Sequence, residues 1–143
     1  MSETRRLGEC RELEYILFGD LRDLLEEDPN YESVRWIKAV LDTLLETIPE
    51  EFALKSESGY LSGVLEEYPN WEGQVSRLED EYYQLYRQLR NLRLRLEQDE
   101  DYRELGKPLS NDLAGWMDAF RRHIQSEQQI VMLAANLETG GGD

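Results

Sequence analysis

The strongest constraint on the fold is an apolar stripe that runs without a break through the second half of the chain. Between Trp71 and about Glu97, an apolar side chain recurs at every third or fourth residue. The stripe consists of Val75, Leu78, Tyr82, Leu85, Leu89, Leu92 and Leu96. Because this spacing follows the turns of an α-helix, it predicts one long helix with a single apolar face. Such a face must be covered by another element.

Three further segments carry the same spacing and predict the partner helices. The first runs from about Glu9 to Glu27, and the turn Asp28-Pro29-Asn30 ends it, because proline disfavours a helical residue before it. Its predicted inward-facing residues are Leu13, Ile16, Leu17, Leu21, Leu24 and Leu25. The second begins near Tyr31, and we expect Pro49 to kink it or to start a new helix. Its stripe consists of Val34, Ile37, Leu41, Leu44 and Ile48.

These segments together predict an all-α, single-domain, up-down-up-down four-helix bundle. The fourth helix is expected to begin at Ser110 or Asn111, both suitable N-cap residues, and to run to about Leu137. The bundle would span residues 9–137, with a loop over residues 98–108. We expect residues 1–8 and 138–143 to be flexible.

The charge of the chain restricts its partners. Its 143 residues include 31 acidic and 16 basic residues, for a net charge of −15. That charge repels nucleic acid and anionic membranes and attracts cations or a basic protein. Cys10 is the single cysteine, so an internal disulfide is impossible, and no window approaches the ~18 apolar residues of a membrane span. We expect a cytoplasmic protein that binds neither nucleic acid nor membranes.

The single histidine, His123, lies four residues before Glu127. On a helix this spacing puts both side chains on one face, which here also carries Trp116 and Phe120. A histidine and a carboxylate on the inner face of a bundle indicate a metal site. The simpler interpretation is a pair of core residues whose polar atoms are satisfied by their neighbours.

The segment His123-Ile124-Gln125-Ser126-Glu127 resembles the motif on the fourth helix of hemerythrin-type (HHE cation-binding) bundles. That family holds an oxygen-sensing or oxygen-carrying di-iron centre inside a four-helix bundle. The resemblance extends from about Leu13 to Ala134. Its helix-two motif falls on Glu51-Phe52-Ala53-Leu54-Lys55, and its helix-one and helix-three motifs fall on Glu14-Tyr15 and Glu81-Tyr82.

The resemblance implies a metal centre that has lost most of its ligands. Tyr15, Glu51 and Tyr82 occupy the three positions where the family has histidine. Lys55 replaces a bridging carboxylate, and a protonated lysine repels cations and only donates hydrogen bonds. We therefore expect a buried polar network in place of the metal. Its predicted members are Lys55, Tyr15, Tyr82, Glu51, His123 and Glu127.

Two functions remain open from the sequence. The first is a non-enzymatic interaction or regulatory module without a cofactor, which binds a protein partner or forms a homodimer. The alternative is a protein that binds iron or another divalent cation, with the ligands His123, Glu127, Glu51, Glu14 and Glu81. A partner-binding surface would lie in the kinked region between Pro49 and Pro69, which is the segment expected to open most readily. Its candidate contacts are Tyr60, Leu61, Val64, Leu65 and Trp71.

Overall fold

The computed structural model describes residues 2–57, 59, 61–98 and 107–140. In this part of the chain the protein is all-α, which confirms the predicted fold class, and it contains no strand. The long helices are α1 (Ser2–Glu26), α2 (Tyr31–Glu57), α4 (Glu72–Gln98) and α5 (Lys107–Gly140). A short helix, α3 (Ser62–Glu67), and a 3-10 turn (Pro69–Trp71) connect α2 to α4.

Several helix boundaries differ from the predicted ones. Helix α1 begins at Ser2 rather than near Glu9, and α5 ends at Gly140 rather than near Leu137. Helix α5 also begins earlier than predicted, at Lys107, because Pro108 is well suited to the first turn of a helix. Residues 99–106 of the predicted loop and residues 141–143 of the predicted tail lie outside the described residues.

The turn between α1 and α2 holds the start of α2 through a reciprocal pair of hydrogen bonds. The backbone N–H of Ser33 donates to Asn30 Oδ1 at 2.8 Å, and the backbone N–H of Asn30 donates to Ser33 Oγ at 2.9 Å. This capping box satisfies two backbone donors that the first helical turn would leave unpaired. Helix α2 then continues through Pro49 to Glu57.

The main core fills the space between the four long helices. Phe18, Trp116 and Phe120 form a ring cluster there, with ring centroids 5.3–5.9 Å apart. The indole N–H of Trp116 donates to the backbone oxygen of Leu85 at 2.8 Å, so its one polar atom is satisfied. All seven residues of the α4 stripe are buried, as predicted.

The α1 face differs from the prediction. Leu13 and Ile16 are 39% and 51% exposed, whereas the buried residues of this helix are Cys10, Glu14, Leu17, Phe18 and Leu21. The sequence of α1 carries two overlapping stripes, and the one that brings the large ring of Phe18 into the aromatic cluster is the buried one. Helix α1 is therefore turned so that an acidic residue, Glu14, faces inward.

Contacts between helices pair residues in opposite sequence order. Between α2 and α4, Asp42 meets Arg93 at 2.7 Å, while Phe52 stacks on Tyr82 with ring centroids 4.1 Å apart. Between α4 and α5, Glu81 meets His123 and Arg95 meets Asp112, each at 2.7 Å. Such crossed pairs are those of antiparallel neighbours, as in a bundle with short connections.

Part of the segment predicted to bind a partner packs against the bundle. Val64 is 6% exposed, and the Tyr68 hydroxyl donates to the backbone oxygen of Ala134 on α5 at 3.4 Å. Leu61, Leu65 and Trp71 are half-buried, and Tyr60 lies outside the described residues. None of the helices in the described ranges has an apolar stretch long enough to cross a bilayer.

Candidate functional site

A layer of ionisable side chains crosses the bundle at one end of the main core. Four of its members, Glu14, Glu51, His123 and Glu127, are only 3–5% exposed. They come from α1, α2 and α5, and each lies in the inward stripe of its helix. We call these four residues, together with Lys55, the polar layer.

Lys55 lies at the centre of the polar layer. Its Nζ donates to Glu51 Oε1 at 2.8 Å and also to Glu127 Oε1, and its side chain is 12% exposed. Burial alone would lower the pKa of Lys55, but the two adjacent carboxylates outweigh it and raise that pKa. The ammonium group is therefore charged at neutral pH and bridges α2 to α5.

Glu14 and Glu51 form a carboxyl–carboxylate pair. Burial, followed by the hydrogen bond to Glu51 and the negative charge of that residue, raises the pKa of Glu14 to about 10. Burial alone would raise the pKa of Glu51. The hydrogen bond from Glu14 and the positive charge of Lys55 outweigh burial and lower that pKa. At neutral pH the protonated Glu14 therefore donates to the Glu51 carboxylate.

One atom of this pair is left without a partner. Among the described residues, no group hydrogen-bonds to Glu14 Oε1, although the atom is buried. Such an orphan acceptor destabilises a fold by about 1–3 kcal/mol. A charged Glu14 would cost more, which is the physical reason that it keeps its proton.

His123 connects the buried layer to a carboxylate at the surface. Its Nδ1 lies 2.7 Å from Oε1 of Glu81, whose side chain is 50% exposed. Its Nε2 lies 3.7 Å from Glu127 Oε2. The imidazole ring is thus held between α4 and α5 by carboxylates on both sides.

The two tyrosines predicted for the network have different environments. Tyr82 is 8% exposed and stacks on Phe52, and burial raises the pKa of its hydroxyl. Tyr15 does not belong to the polar layer, because its side chain is 82% exposed. Successive residues of a helix are turned by about 100°, so Tyr15 points outward where Glu14 points inward.

The donor set does not fit a metal ion. The cavity between Glu51, Lys55, Tyr82, His123 and Glu127 has a volume of about 10 Å³, roughly that of one water molecule. The Lys55 ammonium group already bonds Oε1 of Glu51 and Oε1 of Glu127, and its positive charge would repel a cation placed between them. Within the described ranges, no group of three or more His, Cys, Asp or Glu side chains is placed to hold a metal. In this part of the chain the five residues of the alternative ligand set, His123, Glu127, Glu51, Glu14 and Glu81, are therefore not gathered into one group that could hold a metal.

Arg11 is a neighbour of the layer that the sequence analysis missed. Its Nε lies 3.8 Å from Glu51 Oε1, at the outer edge of the carboxyl pair. The available signal was its position three residues before Glu14, which puts the two side chains on adjacent parts of one helix face. Without the orientation of α1, that signal could not be separated from the many surface charges.

Comparisons with known proteins identified no similar protein. No protein-family model matches the chain, and no curated protein or solved structure is significantly similar to it. The class of protein that the fold defines is therefore an all-α helical bundle with a buried lysine–carboxylate layer. The resemblance to hemerythrin-type bundles stays a prediction from the residues.

Proposed function

We propose that this protein is a non-enzymatic helical bundle that acts as an interaction or regulatory module. The observation that carries the proposal is the position of Lys55, whose ammonium group bridges Glu51 and Glu127. In a metal-binding bundle, carboxylates at this level would share a cation. Here the ammonium group of Lys55 lies between the carboxylates instead of a metal ion, so the polar layer needs no cofactor.

The proposal includes the origin of the layer. We infer a hemerythrin-like scaffold that has lost its di-iron centre, with Tyr15, Glu51 and Tyr82 at the three former histidine positions. Tyr15 supports this only through sequence, since its side chain is exposed. Lys55 supports the inferred loss of the metal, because its ammonium group supplies the positive charge that metal ions would give to these carboxylates.

The enclosed polar groups favour a structural role over catalysis. The space beside Lys55, His123 and Glu127 is about 10 Å³, too small for a substrate to reach the imidazole. Glu14 and Glu51 also line a wider groove at the surface, but Glu14 keeps its proton and Glu51 is bonded to Lys55. Catalytic groups need access to a reacting atom, whereas groups that hold helices together need only each other. We further propose a cytoplasmic location, without binding to nucleic acid or membranes, in keeping with the net charge of −15.

Elemental analysis of the purified, untagged protein tests the proposal. The protein should come from cells grown with added iron and manganese, and its absorption spectrum should be recorded in parallel. We expect a colourless, folded protein with far less than one metal ion per chain. A metal content of about one or two ions per chain that falls in both His123→Ala and Glu127→Ala would overturn the proposal in favour of the metal-binding alternative.

A further inference from the structure

A groove runs along the surface between α1 and α5, beside the carboxyl pair of the polar layer. Its volume is about 590 Å³, within the range of roughly 300–1,000 Å³ that is usual for small-molecule sites. Glu14 and Glu51 line it together with the apolar side chains of Ile16, Phe18 and Ile124. We call it the α1–α5 groove. It combines an apolar surface with a few polar groups, as ligand sites commonly do.

Glu14 supplies a hydrogen-bond acceptor to this groove. Its side chain is only 3% exposed, and no group among the described residues hydrogen-bonds to its Oε1. One carboxyl oxygen carries the proton that is donated to Glu51, so the other is a neutral acceptor. The last torsion of a glutamate side chain is broad, so a small turn of the carboxyl group brings this acceptor to the wall of the groove. A ligand that donates a hydrogen bond there would satisfy an atom that the described part of the protein leaves unpaired.

The charged side chains that line the groove balance each other. The three cations and three anions among its described residues are Arg11, Arg22, Arg121, Asp20, Asp23 and Glu51. Arg11 Nε lies 3.8 Å from Glu51 Oε1, and Arg22 Nε lies 3.5 Å from Asp23 Oδ1. Burial raises the pKa of Glu14 to about 10, so this residue adds no charge at neutral pH. The lining therefore favours an uncharged ligand over an anion or a cation.

We propose that the α1–α5 groove binds a small neutral molecule that has an apolar body and one hydroxyl or N–H group. The apolar body would lie against Ile16, Phe18 and Ile124, and the hydroxyl or N–H group would donate to Glu14. This inference goes beyond the proposed function, since it names a small ligand and holds with or without a protein partner.

Four compounds with the same aromatic body and different head groups test the ligand class. A naphthol carries a hydroxyl donor, its methyl ether has no donor, and the corresponding naphthoate and naphthylmethylammonium carry a negative and a positive charge. Titration of the isotope-labelled full chain at neutral pH, followed by NMR, gives a Kd for each compound.

The naphthol should bind best. We expect a Kd of about 1 mM or lower, as is reasonable for a compound of this size. Its binding should be about threefold to tenfold tighter than that of the methyl ether, which is the usual net effect of one hydrogen bond. Equal binding of these two compounds would overturn the inference, as would tighter binding of either charged compound or no binding of the naphthol.

Two substitutions of Glu14 separate hydrogen bonding from packing. Glu14→Met removes the acceptor and should abolish the preference for the naphthol over its methyl ether. Glu14→Gln keeps a carbonyl acceptor and a donor towards Glu51, so it should keep that preference. Circular dichroism confirms that each variant is folded. A preference that persists in Glu14→Met, or that both variants lose equally, would contradict the proposed role of Glu14.

A substitution at Gly19 locates the site. Gly19 lines the groove, and a Cβ added there would meet no other atom within 4 Å. Gly19→Phe should fill the groove and weaken naphthol binding by about tenfold or more, because the ring takes the space of the ligand. The control is Gly8→Phe, at an exposed position on the same helix that is equally open, and it should leave the Kd unchanged. Equal losses in the two variants would overturn the proposed location.

Sedimentation of the protein alone tests the competing occupant. A dimer that Gly19→Phe dissociates and Gly8→Phe does not would assign the groove to a second copy of the chain and would overturn the inference. Metal content does not enter these readouts. A metal-loaded protein that still binds the naphthol in the groove would overturn only the proposed loss of the metal centre.

Discussion

The apolar core and the polar layer lie on the same helices but depend on their neighbours in different ways. In the core, Leu21, Leu41, Leu89 and Leu113 are fully buried, and each contributes mainly through the surface it removes from water. In the layer, Glu51, Lys55 and Glu127 stabilise the fold only as a set, because each charge requires the others. Loss of one core side chain leaves a cavity, whereas loss of one charge leaves its partners buried and uncompensated.

Removal of the lysine charge should therefore produce the largest effect. Lys55→Met keeps most of the side-chain volume, removes the ammonium group from Glu127 and leaves Glu51 with only the more distant Arg11. We therefore expect a loss of about 3–5 kcal/mol in the free energy of unfolding. Urea denaturation monitored by circular dichroism measures it. The triple variant with Glu51→Gln and Glu127→Gln added should recover most of the loss. Failure to recover would mean that Lys55 acts through packing rather than charge.

A truncation in the core gives the matching reference. Leu89→Ala should lower the free energy of unfolding by about 2–4 kcal/mol, because Leu89 is fully buried on α4 and the removed atoms leave a cavity. Unlike the lysine variant, it should show no recovery when charges in the layer are changed. The two effects should add, since the sites share no partner. A strong coupling between Leu89→Ala and Lys55→Met would contradict the separation of the two regions.

Protonation of Glu14 distinguishes the layer from the core through pH. Its pKa is about 10 in the folded protein against an ordinary value of 4.5. Between these values the unfolded chain has released the proton and the folded chain still holds it, so the contribution of Glu14 to stability falls as pH rises. Glu14→Gln keeps a hydrogen-bond donor and has no proton to lose. We expect the free energy of unfolding of this variant to exceed that of the wild type by on the order of 1–3 kcal/mol at pH 9 and by much less at pH 5.

Denaturation curves at both pH values check this expectation. The control is Glu12→Gln, because Glu12 is exposed on the same helix and should show no such trend. If the Glu14→Gln variant were more stable than the wild type by the same amount at all pH values, the gain would come from better packing and not from the lost titration of Glu14.

The smallest effect is expected at the tyrosine that the layer excludes. Tyr15→Ser should change the free energy of unfolding by less than about 0.5 kcal/mol, as is usual for exposed positions. Tyr82→Ser should cost several times more, because Tyr82 is buried and stacked on Phe52. Thermal melts of both variants suffice. A large loss of stability in Tyr15→Ser would indicate that Tyr15 belongs to the buried polar network, as predicted from the sequence.

The sequence predicted α4 best, because its apolar stripe has one unbroken register and all seven stripe residues are buried. Helix α1 was harder, since Leu13 and Ile16 compete with Cys10 and Phe18 for the inward face, and only packing against the aromatic cluster decides between them. The same rotation explains why Glu14 enters the layer and Tyr15 leaves it. Arg11 was missed for this reason too. The sequence pattern predicted that Glu51, Lys55 and Glu127 lie on inner faces of two helices. Whether they form ion pairs depends on how far each helix is shifted along the bundle axis, which the pattern does not give.

The bridge formed by Lys55 also fixes how far the helices can slide along each other. Apolar stripes repeat at each turn, so a core of leucines tolerates a shift of one turn, about 5.4 Å, with modest loss. In α2 a shift of that size would bring Glu51 to the place of Lys55, opposite Glu127, and two carboxylates would meet in the interior. A single lysine thus gives a repetitive core one permitted alignment, as a polar residue does in a coiled coil.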